Sequence, residues 1–448
     1  DNNWAEVSLP HTWSSAASDV WFRRTFTPPA ASEAIGLGGS RLEMVTFLAI
    51  GATIYIDGRE AYRDRWWADT RGVPLLLCED VKPGVPMTVA VHVHQGDGFG
   101  IFINTTLRYS RLEEHLFDLE LFRQQMAFTH HLAGRDGSPE LHAAWQRALA
   151  CVDPSDLDAN RWQAWAEGMS RARAALAPFA TRAKEYTTYF VGHSHIDMNW
   201  LWTLDETIEV CRRDFAAADQ LMARYPEFVF SQSQASTYSF MEERYPELFA
   251  RIRERVGEGR WDVTANTWVE GDLNMAGGEV HARHLLHTQR YVKSRFGRTS
   301  LICWEPDTFG HPATMPQLLA KAGVKYYYCC RAGKGQPLFW WESPDGSRVL
   351  AMVDPLGYNG EITPRATVDP VLDLDRRLGL QAGLYVYGVG DHGGGATARD
   401  IEMARAIDQA PYVPHAKLSD TISFYRRAER EAQGLPVIRE ALNPVFEG

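Results

Sequence analysis

Two things are scarce in these 448 residues: cysteine and excess positive charge. The six cysteines are Cys78, Cys151, Cys211, Cys303, Cys329 and Cys330, and no pair has metal-finger or redox-motif spacing. That excludes a disulfide framework and points to reduced thiols in a cytoplasm. Lys and Arg number 46 against 57 Asp and Glu, a net charge of −11. Without a basic stripe, nucleic acid is excluded as a partner. No apolar run reaches the roughly 18 residues a membrane span needs, so no membrane partner is expected. No N-terminal apolar leader core is visible either. The sequence opens DNNWAEV without Met, which leaves an upstream leader open. What is present is ordinary globular composition, 45% hydrophobic and 23% charged. Tryptophan is abundant at 15 residues. Most of these suit a large core, and some suit stacking on sugar rings. Whether copies of the protein form a homo-oligomer stays open.

The first stretch, residues 1–105, reads as all-β. WFRRTFT, SRLEMVTFLAI, ATIYIDGRE and MTVAVHVHQ alternate apolar and polar residues between Gly, Pro and Asp turns, the pattern of a β-sandwich. The succession PHTW, WFRRTF, IYIDGRE, DVKPG, VAVHVH resembles the sugar-binding jelly-roll domain found at the front of many glycoside hydrolases. Residues 106–183 carry helical periodicity and read as a helical connector. From 184 to 448 strand-like runs alternate with amphipathic helices. The strands are TTYFVGH, EFVFSQS, RWDVTAN, SLICWEP, KYYYCC, RVLAMVD and GLYVYGVG. Such alternation predicts a parallel sheet, open or closed into a barrel. In either layout the chemistry gathers at the C-terminal strand ends. Polar residues recur there: His195 and Asp197, Gln232 and Gln234, Glu270 and Asp272, Asp307, and Asp391 with His392.

The densest motif is VGHSHIDMNWLW, residues 191–202. On an extended backbone, residues two apart face the same side, so His195 and Asp197 are placed to grip one cation. Imidazole nitrogen with carboxylate oxygen suits zinc or a similar divalent ion. His193 shares the parity but lies deeper in the strand, where a supporting role is expected. In ICWEPDTFG the strand ICW aims Asp307 at the same pole. An aspartate there can serve as ligand and as nucleophile. The bland reading is an Asx-turn or a helix cap.

Two further patterns are read structurally. Gly388, Gly390 and Gly393 fit G-x-G-x-x-G, yet they lie late in the domain and no acidic residue opens a strand about 20 residues on. The glycines are expected instead to let backbone approach a ligand, with Asp391 and His392 supplying chemistry. His281, His284 and His287 recur on one predicted helix without a zinc-protease glutamate, and read as a half-exposed amphipathic face.

Taken together, HIDMNWLW, NTWVEGDLN, WEPDTFG followed by PQLL, and YGVGDHGGGAT resemble glycoside hydrolase family 38, the α-mannosidases, and within it the bacterial, cytosolic-type branch. The resemblance covers about residues 185–448. It implies a retaining hydrolase of α-linked mannose, with one zinc ion in a seven-stranded α/β barrel and a mannoside or mannose-containing oligosaccharide as substrate. His195 and Asp197 match the zinc ligands. Asp307 matches the nucleophile, which also touches the metal, and Asp391 matches the acid/base. Trp200 and Trp202 match residues lining the sugar, and Trp268, Glu270 and Asp272 match a substrate-facing loop. The family adds a second zinc histidine from a later segment. The sequence stops at NPVFEG, about where that segment would begin, so His392 stands as the substitute. The family also continues into a helical bundle and large β domains, so by comparison the sequence is expected to be incomplete at its C-terminal end. Two other readings are weighed: a metal-dependent deacetylase or amidohydrolase with Asp307 as base, and an inactive carbohydrate-binding remnant.

Overall fold

The computed structural model describes residues 4–14, 20–32, 35–48, 50–64, 68–70, 74–94, 99–159, 161–200, 202–332, 334–390 and 393–442. The protein divides into two compact units, residues 1–122 with 150–172, and 123–149 with 173–448.

The first unit holds two larger antiparallel sheets and a two-stranded one, Ala31–Ser32 with Ile35–Gly36. One of the larger two runs Val20–Phe26, Met87–Val93, Ala52–Ile56, Arg59–Asp64; the other runs His11–Ser14, Phe99–Tyr109, Leu42–Leu48, Ala68–Asp69, with Leu75–Cys78 also beside Leu42–Leu48. The period of two is plain in Met87–Val93, where Met87, Val89, Val91 and Val93 are buried and the residues between them are not. Leu42, Met44 and Leu48 from one sheet join Ile54, Ile56, Val89 and Val91 from the other in one core, the mark of face-to-face packing. Strand structure ends at Tyr109. A 27-residue helix, Ser110–Asp136, follows at once, and then the helices Pro139–Leu149 and Trp162–Ala175. By their contacts these helices are divided between the two units.

The second unit is mixed α/β with two sheets. The first runs Trp261–Val263, Phe230–Gln232, Thr187–His193, Ala382–Tyr387, all parallel, with His415–Leu418 also beside Thr187–His193. The second runs Ile302–Glu305, Tyr326–Cys329, Arg348–Val353, Leu338–Glu342, Val437–Ile438. The seven strands read from the sequence are all present. Three strands were not foreseen: His415–Leu418, Val437–Ile438 and Leu338–Glu342, the last of which pairs antiparallel with Arg348–Val353 through the turn Pro344-Asp345-Gly346. Its turn signal was there, since Gly346 takes a positive φ and Asp345 Oδ1 accepts the Ser347 N–H at 3.0 Å. Side chains from both sheets meet in a single cluster that includes Tyr189, Val191, Trp304, Tyr328, Leu350, Met352, Leu384 and Val386. All seven residues of Thr187–His193 are buried, and each large apolar side chain there contributes about 1.5–3 kcal/mol.

This layout places the chemistry. Parallel strands end at one pole, so His195, Gln234, Glu270, Asp307, Arg331 and Tyr358 follow successive strand ends. Two helices start just beyond the site loops, and each is begun by a capping box. Thr203 pairs with Glu206 before Leu204–Arg224, and Thr397 with Asp400 before Ala398–Gln409.

The helix Pro364–Leu378 packs so closely on Ala382–Tyr387 that a Cβ at Gly383 would lie 2.8 Å from both Pro370 Cβ and the Val371 nitrogen. The obstacle is backbone and a proline ring carbon, neither of which can swing aside. Gly383→Ala is therefore expected to destabilise by about 1–3 kcal/mol. A denaturant titration reads this as a lowered midpoint, and an unchanged midpoint contradicts the packing.

Candidate active site

The strand Thr187–His193 delivers two histidines to different environments. His193 is turned into the core. Its Nδ1 lies 3.0 Å from the Ser231 carbonyl, and its ring packs edge-on against Trp304 at 5.6 Å. Burial pushes its imidazole down to about 4. His195, past the strand end, is 2% exposed and faces acids. One nitrogen of His195 and one carboxylate oxygen each of Asp197 and Asp307 all lie within 4.8 Å of one another. The two-residue spacing of His195 and Asp197 thus brings both to one point, and Asp307 arrives from the strand Ile302–Glu305.

Glu270 organises this cluster from behind. Its Oε2 lies 2.9 Å from His195 Nε2, while its Oε1 accepts the Asp307 N–H at 2.8 Å and the Thr308 hydroxyl at 3.2 Å. Sequence reasoning put Glu270 on the substrate side. It does line the cavity, but both of its oxygens are engaged with neighbouring protein groups. Burial alone would push the His195 imidazole down, but Glu270 first, and then Asp197 and Asp307, raise it to about 9. Burial would raise the Glu270 carboxyl, but the His195 imidazole holds it below the usual range.

Two residues the motifs did not single out hold Asp307. Tyr358 donates to Asp307 Oδ1 at 2.6 Å, and Arg331 Nε donates to the same oxygen. The Arg331 guanidinium also sits over the Phe309 ring at 4.6 Å. Both residues follow the ends of strands, Tyr326–Cys329 and Arg348–Val353, which is the one signal that would have found them. Beneath lies Glu305, fully buried, accepting from Thr267 at 2.9 Å and Thr308 at 2.8 Å. Burial, with Glu270 nearby, pushes its carboxyl up to about 8.

A cavity of about 140 Å³ opens on the cluster, lined by Ile196, Asp197, Gln234, Glu270, Asp272, Asp307 and Phe309 among others. Asp272 caps its own turn, with Oδ1 accepting the Asn274 N–H at 2.9 Å. Trp200, Trp202 and Trp268 are not among the described residues that line the cavity. Trp200 is 60% exposed, and Trp202 is buried with its indole N–H on Thr207 Oγ1 at 2.9 Å. Their rings meet edge-on at 5.7 Å. Trp268 packs edge-on against Tyr291 at 5.4 Å. Asp391 and His392 lie outside the described residues, and with them the expected carboxyl separation and fourth ligand. On the helix Gly278–Phe296, His281 is buried on the Leu273 carbonyl at 2.8 Å. The His195 cluster is the one metal-competent group among the described residues.

The model of the glycosyl hydrolases family 38 N-terminal domain matches residues 185–442, more than half of the chain. The protein belongs to glycosyl hydrolase family 38. Among curated family relatives, it is 35% identical to alpha-mannosidase G of Dictyostelium discoideum, over 53% of this sequence and 23% of that protein. It is 31% identical to human alpha-mannosidase 2C1, over 56% and 25%. The match therefore spans about a quarter of the length of these relatives. Among solved structures, an alpha-mannosidase from Enterococcus faecalis V583 aligns with a TM-score of 0.50 at 21% identity, over 57% of this sequence and 31% of that one. All six cysteines are free, and no helix among the described residues is long and apolar enough to cross a membrane.

The residues fit a divalent cation. The cluster offers one nitrogen and two carboxylates, a donor set such ions take. His195 Nδ1 is buried with no hydrogen-bond partner among the described residues.

The imidazole value near 9 gives a pH test. With no cation bound, His195 holds a proton at pH 7, and ligation must displace it. Cation binding is expected to release about one proton at pH 7, and affinity to rise as pH climbs toward 9. Calorimetry in buffers of different ionisation enthalpy reads this, and equal heats across buffers contradict it. The linked stability has the opposite sign. The metal-free protein keeps the His195 contribution in full below pH 6.5 and loses it as pH rises through about 9.

Proposed function

We propose that this protein holds the catalytic centre of a zinc-dependent, retaining α-mannosidase acting on terminal α-linked mannose. The observation that carries the reading is the convergence of His195, Asp197 and Asp307 within 4.8 Å at one pole of parallel strands. Family membership and relatives named as alpha-mannosidases support the substrate class.

Mannose has an axial 2-hydroxyl, so its O2 and O3 lie cis. His195, Asp197 and Asp307 would hold zinc, with His392 the fourth ligand on sequence grounds. The ion would supply positive charge against those hydroxyls and against charge developing at O2. Asp307 is the nucleophile. Tyr358 and Arg331 both donate to its Oδ1, which sets the carboxylate plane and assigns attack to Oδ2. In the first step this oxygen bonds the anomeric carbon and the glycosidic C–O bond breaks. The acid/base carboxyl, assigned to Asp391, gives its proton to the leaving oxygen. In the second step that carboxylate takes a proton from water, and the water oxygen displaces Asp307. Two inversions retain configuration. The exposed face of Trp200 is assigned to the apolar flank of the sugar, Trp202 to its support, and Trp268 and Asp272 to the rim.

We infer that the seven foreseen strands close as an α/β barrel, which the core shared by both sheets supports. The first unit is taken as a jelly-roll sugar-binding-like module, with limits near 1–105, 106–183 and 184–448. The free thiols support a cytoplasmic location.

A fluorinated mannosyl trapping reagent should leave its adduct on the peptide containing Asp307, read by mass spectrometry. Turnover of an α-mannoside without any adduct would favour direct attack by water and sink the covalent step. Tyr358→Phe removes one donor from the nucleophile and is expected to lower kcat roughly 10²-fold with bound metal unchanged.

A further inference from the structure

We infer that Asp214 is a positioning residue that ties the loop bearing Asp391 to the segment bearing His195. Asp214 lies inside the helix Leu204–Arg224, is 4% exposed and belongs to none of the sequence motifs. Its Oδ2 accepts two hydrogen bonds at 2.6 Å, one from the Ser194 hydroxyl and one from the Gly394 N–H. Its Oδ1 takes the Arg213 Nε–H at 3.3 Å. Ser194 directly precedes His195, and Gly394 stands two residues after His392. One buried carboxylate oxygen therefore joins the two segments that hold the chemistry.

The loop is built to receive that oxygen. Val389 and Gly395 exchange backbone hydrogen bonds at 2.9 and 3.1 Å and close its neck. The Gly393 N–H donates to the His195 carbonyl at 3.1 Å. A Cβ at Gly393, whose φ is +88°, would lie 2.4 Å from Asp214 Oδ2, so the approach requires glycine. Asp391 and His392 fall between Gly390 and Gly393 in sequence. Charge-assisted bonds of this length are the strong class, and removing the negative charge weakens both at once.

The inference rests on Asp391 acting as the acid/base. A misplaced general acid costs on the order of 10²-fold, because proximity effects fall off over about 1 Å. That loss falls on substrates whose leaving group needs a proton and spares those whose leaving group does not. Fold damage makes no such distinction.

The test uses Asp214→Asn, which keeps the volume and one acceptor oxygen but removes the charge, and Ser194→Ala, which keeps the Gly394 bond. Both are made in the intact protein. For Asp214→Asn, kcat/KM on an α-linked mannobiose should fall on the order of 10²-fold. On the dinitrophenyl α-mannoside it should fall less than about tenfold, with metal content at wild-type level; Ser194→Ala should show the same split in milder form. Equal losses on both substrates, or loss of metal in step with activity, overturn the positioning role. Amide exchange over residues 386–398 is read in parallel and should speed up in Asp214→Asn while the distant strands stay unchanged. Unchanged exchange there overturns the tie itself. If the wild-type protein hydrolyses neither mannoside, the functional reading falls, and the exchange measurement still decides whether Asp214 holds the loop.

Discussion

The carboxylate of Glu270 is the contact on which the site depends. One oxygen meets His195 and the other takes the Asp307 N–H, so a single side chain fixes two strand ends relative to each other. The ring of contacts closes through Gln234, whose Oε1 accepts the Glu270 N–H at 3.1 Å and whose Nε2 donates to the Ile196 carbonyl at 2.9 Å. Gln234 reaches this position with φ of +63°, a conformation that costs a residue with a side chain on the order of 1–3 kcal/mol. Such strain persists where surrounding contacts over-determine it, and here two hydrogen bonds from one amide do so. The ligand cluster is thus preorganised by neutral and ionic contacts made before any cation or sugar arrives.

The carboxyls of Glu270, in the cavity wall, and of Glu305, which is buried, are driven apart. Glu270, facing the His195 imidazole, is held below the usual range, while burial pushes Glu305 up to about 8. Thr308 stands between them and donates to either, at 3.2 Å to Glu270 and 2.8 Å to Glu305. Like charges this close in low dielectric cannot both ionise cheaply. The arrangement leaves one negative charge facing the ligand cluster and a neutral acid below it. That limits the excess charge His195, Asp197 and Asp307 must balance.

How much of this was legible in the sequence follows from the reach of each signal. Strand periodicity and the H-x-D spacing are local, so the parallel strands and the pairing of His195 with Asp197 could be read directly. Asp307 was legible because an apolar run aimed it. Arg331 and Tyr358 were not, because each acts on Asp307 across 24 and 51 positions of sequence with no motif around it. Glu270 was read as facing substrate, because its contacts with His195 and Asp307 span 75 and 37 positions of sequence. Leu338–Glu342 escaped because a short apolar run beside another strand does not announce its direction, although its turn residues did.

The aromatic half of VGHSHIDMNWLW is divided as sharply as its histidines. Thr207, in the first turn of the helix Leu204–Arg224, accepts the Trp202 indole N–H at 2.9 Å and donates to the Asp197 carbonyl at 3.2 Å. One hydroxyl therefore anchors a tryptophan and the backbone of a metal-competent aspartate together. The capping box of Thr203 and Glu206 fixes where that helix begins, and so where Thr207 stands. Asn199 turns the backbone at φ of +59° between the two anchored points and leaves Trp200 outermost. Apolar surface next to chelating residues thus has two origins. Trp202 is spent on holding Asp197 in place, and Trp200 keeps an open face at the same pole.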